Sequence, residues 1–93
     1  MKAVWNDVVI AESSDIVTVE GNAYFPASAL NKALIVPSGH TSVCPWKGTA
    51  NYYSLNVGGK TNENAVWYYA SPKEAAAEIK DRVAFWKGVK VSS

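Results

Sequence analysis

The chain has 93 residues, 48% of them hydrophobic, and its nine basic and eight acidic residues leave a formal net charge of +1. This length suits one domain over residues 1–93, and four Trp and five Tyr supply enough large side-chain area for a core without disulfides. The balanced charge argues against a nucleic-acid-binding surface, and no apolar run is long enough to span a bilayer. Because no signal-peptide pattern opens the chain either, we expect a cytoplasmic protein with neither a nucleic-acid nor a membrane partner.

The first twenty or so residues are predicted to form short antiparallel strands, because runs rich in Val and Ile alternate with turn residues. Asn6 and Asp7 tolerate positive φ, so they favour a tight hairpin turn between the first two strands. Gly21 and Asn22 are expected to end the third strand. The three predicted strands are residues 2–5, 8–12 and 15–20.

The middle of the chain is predicted to hold a helical turn and a long aromatic hairpin. Pro26 suits the start of a short helical turn that reaches Leu30. Gly58 and Gly59 form a two-residue turn between two aromatic strands, which is the clearest hairpin signal in the sequence. The other predicted elements are a strand at 33–36, a loop at 37–42, a turn at 44–48, and the hairpin strands at 49–57 and 60–69.

One true helix is predicted near residues 72–81. Ser71 is a suitable N-cap, Pro72 suits the first helical position, and Glu74 lies three residues after the cap. All the elements together predict a mainly β fold, a compact antiparallel β domain of tent-like or barrel-like form with this one short helix. Two apolar segments near the end of the chain are expected to return to the sheet, residues 83–86 and 89–91.

The densest group of reactive side chains lies between His40 and Tyr53. Cys44 precedes a proline in a predicted turn, and His40 or Lys47 would lower its thiol pKa if the fold brought either within hydrogen-bond reach. One hypothesis is therefore a thiol or acid/base enzyme centred on Cys44, His40 and Lys47. The alternative is that Cys44 packs as a small structural hydrophobe and that His40 is an exposed loop residue with no special role.

Aromatic side chains are more numerous than a core of this size readily buries, so some rings are expected to line a pocket. Strand alternation sends the members of Tyr52-Tyr53, and of Tyr68-Tyr69, to opposite faces. One face would be core, and the other a concave surface for a small planar or cationic ligand. Core packing alone is the competing explanation. The candidate ligand-binding residues are Glu20, Asn22, Tyr24, His40, Trp46, Lys47, Tyr52 and Trp67.

The sequence offers no recognised motif for a metal or a phosphate cofactor. A lone cysteine, Cys44, excludes both an internal disulfide and the cysteine-rich zinc motifs, and it fits a reducing cytoplasm. Residues 57–60 combine two glycines with a lysine, but they lack P-loop spacing and precede a strand. We therefore expect no bound cofactor.

One set of short segments, spread over nearly the whole chain, matches the pattern of a known family. The most specific is Cys-Pro-Trp-Lys-Gly at 44–48, and the others are residues 20–22, 24–26, 52–53, 65–69 and 83–86. In these segments the chain resembles the bacterial family called domain of unknown function 427. The resemblance implies a compact β-rich fold, of the tent-like kind found in methionine sulfoxide reductase B.

The same resemblance implies no catalytic residues, because none is established for the family. Its nucleotidyltransferase label is not supported by the residues, since such enzymes use closely paired carboxylates to hold magnesium against a nucleotide phosphate. The eight carboxylates of this chain are dispersed, and no Asp-x-Asp pair exists.

Three functions remain open at this point. The first is a small-ligand binding module with an aromatic-lined pocket, and the second is the thiol or acid/base enzyme described above. The third is a protein interaction module, which is suggested by the surplus aromatic surface and by exposed sheet edges. The sequence does not indicate whether the chain self-associates.

Overall fold

The computed structural model describes residues 1–93 as nine β-strands and three short 3₁₀ helices. None of the helices is both long enough and apolar enough to cross a membrane. The 3₁₀ helices are Ala27–Ala29, Lys32–Leu34 and Glu74–Ile79. The strands are β1 (Lys2–Trp5), β2 (Val8–Glu12), β3 (Val17–Val19), β4 (Asn22–Pro26), β5 (Ile35–Cys44), β6 (Gly48–Val57), β7 (Lys60–Tyr68), β8 (Arg82–Phe85) and β9 (Lys90–Ser92).

The strands form two antiparallel sheets, which confirms the mainly β fold predicted from the sequence. The smaller sheet has the order β2-β1-β9, and the larger has the order β3-β4-β8-β7-β6-β5. Both sheets are open rather than closed into a barrel. β8 and β9 follow each other in the chain but join different sheets, because β9 pairs with β1 and β8 lies between β4 and β7. The last strand therefore ties the end of the chain to its beginning.

Both predicted hairpin turns are present. Asn6 and Asp7 have φ values of 50° and 62°, and they connect β1 to β2. Gly58 and Gly59 have φ values of 60° and 79°, and they connect β6 to β7. Positive φ at both central positions matches the right-handed twist of the flanking strands, which is why these residue types occur there.

The predicted loop at 37–42 is wrong, because β5 runs without a break from Ile35 to Cys44. Its polar composition suggested a loop, but β5 is the outermost strand of the larger sheet and most of its residues face solvent. Pro37 is tolerated there because an edge strand leaves some backbone groups unpaired. The composition reflects the strand's exposure rather than the absence of a strand.

The predicted helix at 72–81 exists only as the short 3₁₀ helix Glu74–Ile79, and Lys73 rather than Ser71 is its N-cap. The backbone N–H of Lys73 donates to the Lys47 carbonyl at 2.8 Å, and the Lys73 Nζ donates to the Pro45 carbonyl at 2.6 Å. These contacts hold the start of the segment against the β5–β6 turn. A non-helical φ of −120° at Ala76 kinks the segment further on.

The third predicted strand is also shorter than expected and covers Val17–Val19. Asp15 lies before it and forms an ion pair with Arg82. Glu20 has a φ of 54°, so the chain turns at Glu20 and Gly21 instead of continuing as a strand. The sequence predicted that the strand would end at Gly21, but the turn begins one residue earlier, at Glu20.

The larger sheet buries side chains on both faces. One hydrophobic cluster contains eleven buried residues, including Phe25 and Phe85, whose rings meet edge to face at 5.4 Å. A second cluster of seven buried residues contains Tyr24 and Ile79. Tyr24 and Phe25 are consecutive in β4 and both fully buried, so strand alternation divides the two cores between the two faces.

Candidate functional site

An aromatic cleft opens on the face of the larger sheet that carries the second cluster. The cleft has a volume of about 220 Å³ and is lined by Lys47, Tyr52, Trp67, Tyr69 and Trp86. Lys47 lies in the turn between β5 and β6, Tyr52 in β6 and Trp67 in β7. Tyr69 and Trp86 directly follow β7 and β8. We call this site the aromatic cleft below.

Strand pairing brings the aromatic walls together. Tyr52 of β6 lies directly opposite Trp67 of β7, and Tyr69 shares the Trp67 face because it is two residues further on. Tyr53 and Tyr68 point to the other face, where their rings stack at 4.8 Å. The members of each Tyr-Tyr pair therefore lie on opposite faces, as the alternation predicted.

Two β-bulges flank β6 next to the cleft. In β5, residues 38–40 lie opposite Tyr52 alone, because Pro37 pairs with Tyr53 and Thr41 with Asn51. In β7, residues 63–65 lie opposite Ser54 alone, and Asn64 takes a positive φ of 57°. The two bulges are joined by a hydrogen bond from the Ser38 hydroxyl to the Asn64 side-chain oxygen. Bulges re-aim side chains, and this pair bends the strands beside Tyr52.

Strand β5 supplies two contacts to Tyr52, one from His40 in the bulge and one from Ser42 beyond it. The His40 ring packs against the Tyr52 ring with a centroid separation of 4.7 Å and an interplanar angle of 54°. The Ser42 hydroxyl shares a hydrogen bond of 2.8 Å with the Tyr52 hydroxyl. Tyr52 is thus held in position by β5, and its hydroxyl already has a partner.

Lys47 is the one polar or charged residue in the buried class, at 7% exposure. Its ammonium group donates to the Glu20 carboxylate and lies 5.3 Å from the Trp46 ring centroid and 5.7 Å from that of Tyr69. Burial alone would lower the Lys47 pKa, but the hydrogen bond to Glu20 and nearby acidic groups outweigh it and raise the pKa above 10.5. Lys47 is therefore protonated at neutral pH.

Tyr69 is only 4% exposed, yet its hydroxyl forms no hydrogen bond within the chain. No fully buried side-chain nitrogen or oxygen lacks a partner, so the small exposed part of Tyr69 includes this hydroxyl, and Tyr69 is one of the residues that line the cleft. Burial raises the Tyr69 pKa above 10.0, and the Lys47 charge opposes this shift. The cleft thus contains a neutral phenol whose O–H is free to donate.

The two tryptophans contribute ring surface rather than free N–H groups. The Trp67 indole N–H donates to the Tyr24 hydroxyl at 3.1 Å, and the Trp86 indole N–H donates to the Asn64 carbonyl at 2.5 Å. The Trp67 and Trp86 rings meet edge to face, with centroids 6.1 Å apart. Both rings are fixed by these bonds and form rigid apolar walls.

Most of the predicted ligand-binding residues lie in or beside the cleft. Lys47, Tyr52 and Trp67 line it, whereas four others support a lining residue without reaching it: Glu20 and Trp46 contact Lys47, Tyr24 contacts Trp67, and His40 contacts Tyr52. Asn22 is apart from them. It lies in β4 and lines a separate depression that includes Met1 and Phe85.

The three predicted catalytic candidates do not form a connected group. Cys44 is half-buried at the end of β5, and no hydrogen bond joins it to His40 or to Lys47. The Lys47 ammonium is engaged by Glu20, and the His40 ring packs on Tyr52.

Tyr69 and Trp86 were not among the residues predicted to bind a ligand. Tyr69 could have been found, because it is two residues beyond Trp67 and strand alternation places both on one face. Trp86 could not have been found, because it reaches the cleft only through the pairing of β8 with β7. In that pairing Trp67 lies opposite Ala84, two residues before Trp86. That pairing joins segments separated by the helix Glu74–Ile79.

No group of three or more His, Cys, Asp or Glu side chains converges at a point where a metal ion could bind. Comparison with curated proteins found no significant match. A family model described as "Domain of unknown function (DUF427)" matches residues 1–93, which is the whole chain. The chain therefore belongs to the family of domain of unknown function 427.

Proposed function

We propose that the chain is a binding module for a small molecule and that the aromatic cleft is its binding site. The observation that supports this most directly is Tyr69, which lines the cleft and is only 4% exposed, although its hydroxyl forms no hydrogen bond within the chain. A polar group in such a place is satisfied by water or by a ligand. Rigid ring walls with a few convergent polar groups are the usual form of a ligand site.

The unused polar groups indicate what the ligand must contain. The Tyr69 O–H is free, and the Lys47 ammonium has donors beyond the one bound to Glu20, because a lysine carries three. The hydroxyl of Tyr52 and the two indole N–H groups are already bound. The cleft therefore offers donors, so the ligand must carry a hydrogen-bond acceptor such as a carbonyl oxygen or a ring nitrogen.

Charge and size restrict the ligand further. Glu20 already compensates the Lys47 charge, so neither an anion nor a cation would find an unmatched partner in the cleft. The volume of about 220 Å³ equals that of about seven liquid waters at ~30 Å³ each. These features favour an uncharged, planar molecule of about one ring, packed on the Trp67 and Trp86 rings with its acceptor towards Tyr69.

The test compares three one-ring probes that differ in charge: benzamide, benzoate and benzylamine. Intrinsic tryptophan fluorescence and backbone NMR shifts report binding, since Trp67 and Trp86 line the cleft. We expect benzamide to bind more tightly than either charged probe, and Tyr69→Phe to weaken benzamide binding by about two- to twelvefold, the value of one hydrogen bond. The matched control is Tyr68→Phe, which alters the opposite face and should leave the affinity unchanged. Equal affinity in the Tyr69→Phe variant, or no binding of any probe, would refute the proposal.

A further inference from the structure

A second cavity lies on the opposite face of the larger sheet. Its volume is about 350 Å³, and its apolar wall includes Leu30, Ile35, Val83 and the stacked pair Tyr53–Tyr68. Leu30 and Val83 are buried, so this wall is continuous with the larger hydrophobic cluster. We call this cavity the tyrosine groove. It shares no lining residue with the aromatic cleft.

The tyrosine pair gives the groove a rigid floor. The two rings are nearly parallel, with an interplanar angle of 19°. Burial raises the Tyr68 pKa above 10.0, and the neighbouring Tyr53 hydroxyl adds to this shift. Tyr68 is therefore uncharged at neutral pH, and both rings line the groove. An apolar side chain of a ligand can pack on them at little entropic cost, because the rings are already fixed.

Two opposite charges line the groove without pairing with any group of the chain. The ion pairs of the chain are Lys2–Glu12, Lys47–Glu20 and Arg82–Asp15, which leaves both Lys32 and Asp81 without one. Lys32 lies in the helix Lys32–Leu34, and the Asn31 side chain caps that helix by accepting from the Ala33 backbone N–H, which holds the backbone at Lys32.

The backbone at Asp81 is also fixed. Asp81 takes a φ of 58°, a left-handed conformation that Asp and Asn tolerate better than most residues. Its backbone N–H donates to the Tyr69 carbonyl at 3.2 Å. The carboxylate of Asp81 therefore projects from an ordered turn rather than from a mobile loop.

From this arrangement we propose that the tyrosine groove binds a free α-amino acid with an apolar side chain. The carboxylate of the ligand pairs with Lys32, its ammonium group pairs with Asp81, and its side chain packs on Tyr53 and Tyr68. A free amino acid carries both charges on one carbon, which matches one cation and one anion beside a single apolar wall. A residue within a peptide carries neither charge, and a terminal residue carries only one.

The test uses three probes that share a branched apolar chain and differ in charge. Leucine carries both charges, 3-methylbutylamine only the positive one, and 4-methylpentanoate only the negative one. Two-dimensional ¹H–¹⁵N NMR titration of the full chain measures each affinity and locates each site. We expect leucine to bind more tightly than either single-charge probe and to shift the amides of Leu30, Tyr53 and Tyr68.

Variants of the two exposed charges separate the contributions of the ligand's groups. Asp81→Asn keeps the backbone preference for positive φ and should weaken the binding of leucine and of 3-methylbutylamine by about 1.4- to fivefold, the range for a solvent-exposed ion pair. It should leave the affinity for 4-methylpentanoate unchanged. Lys32→Gln should weaken the binding of leucine and of 4-methylpentanoate by about the same factor, and it should leave the affinity for 3-methylbutylamine unchanged. Glu78→Gln, a change of a nearby exposed carboxylate outside the groove, is the matched control.

Three results would overturn the proposal. The first is that leucine does not shift the amide signals of the groove residues. The second is a leucine affinity no greater than that of a single-charge probe. The third is a loss of affinity in either variant that does not depend on the probe's charge as predicted. The test of the tyrosine groove is independent of the aromatic cleft. Tyr69→Phe should leave leucine binding unchanged, so failure at either site leaves the other proposal standing.

Discussion

The ion pair between Lys47 and Glu20 leads to an asymmetric prediction for stability. Lys47 has a side chain that is 9% exposed, whereas the Glu20 side chain is 54% exposed. Glu20→Gln leaves a protonated ammonium buried without its carboxylate. Removal of one partner of such a bond costs about 1–3 kcal/mol. Because water screens the half-exposed Glu20 and two ring faces still contact the Lys47 charge, we expect a loss of about 1–2 kcal/mol in the free energy of unfolding.

Lys47→Met should cost less, although Lys47 is the more buried residue. Methionine retains an unbranched chain that fills the same space, and Glu20 can turn its free carboxylate to water. Replacement of a buried charge by a hydrophobe of similar volume is often close to neutral, so the expected loss is below about 1 kcal/mol. The double variant should be no less stable than Lys47→Met alone, since the buried charge is absent from both.

Urea and thermal unfolding, followed by far-ultraviolet circular dichroism at pH 7, measure these differences. Because the Lys47 pKa is raised in the folded chain, the stability that the Lys47 charge contributes is fully present at pH 7 and is lost only as the pH rises from 10.5 through the raised value. For a domain of this size, a loss of 1–2 kcal/mol corresponds to a fall in Tm of about 4–16 °C. A larger loss for Lys47→Met than for Glu20→Gln would refute the reasoning, because it would mean that the pair stabilises the fold more than its desolvation opposes it.

Three further predictions concern other residues. The folded pKa of Tyr69 is raised above 10.0, so the unfolded phenol ionises first; in urea unfolding from pH 9 to 11, the free energy of unfolding should fall further in the wild type than in Tyr69→Phe. Gly48→Ala should cost about 1–3 kcal/mol by the same assay, because φ is +110° there, and more than Gly59→Ala, where φ is +79° and no atom lies within 4 Å. Alkylation of Cys44 should proceed at the same rate in wild type and in His40→Ala, since no hydrogen bond joins the two side chains; a slower rate in the variant would show that His40 activates the thiol.

The sequence was most informative where a feature depends on neighbouring residues. The Gly58-Gly59 turn could be predicted because positive φ at two consecutive positions is a local requirement. The division of Tyr52 from Tyr53 between two faces could be predicted because strand alternation has a period of two. In both cases no distant contact alters the outcome.

Predictions failed where tertiary contacts decide the local structure. Ser71 fits an N-cap, yet the bond from Lys73 to the Lys47 carbonyl holds the segment in another path. The polar run in β5 reads as a loop because nothing in the sequence shows that this strand lies at a sheet edge. Local propensity is a weak signal, and contacts between distant segments override it at these two places.

The candidate site shows the same limit. Lys47, Tyr52 and Trp67 could be named because they lie in the aromatic segments that the sequence distinguishes. The partner of Lys47 could not, because Glu20 is 27 residues away and reaches it only through a turn with positive φ. Trp86 depends on a pairing of β8 with β7 that no local pattern encodes.

The two bulges beside β6 have a consequence for how the chain can change in length. In β5, residues 38–40 lie opposite one residue of β6, and in β7, residues 63–65 also lie opposite one, so β5 and β7 each carry two extra positions. A two-residue deletion in β5 would straighten one side of β6 and leave the other side bent, with Asn64 deprived of Ser38. We therefore expect insertions and deletions in these two strands to occur together when related chains are aligned. A related chain with a gap in only one of these two strands should position its counterpart of Tyr52 differently.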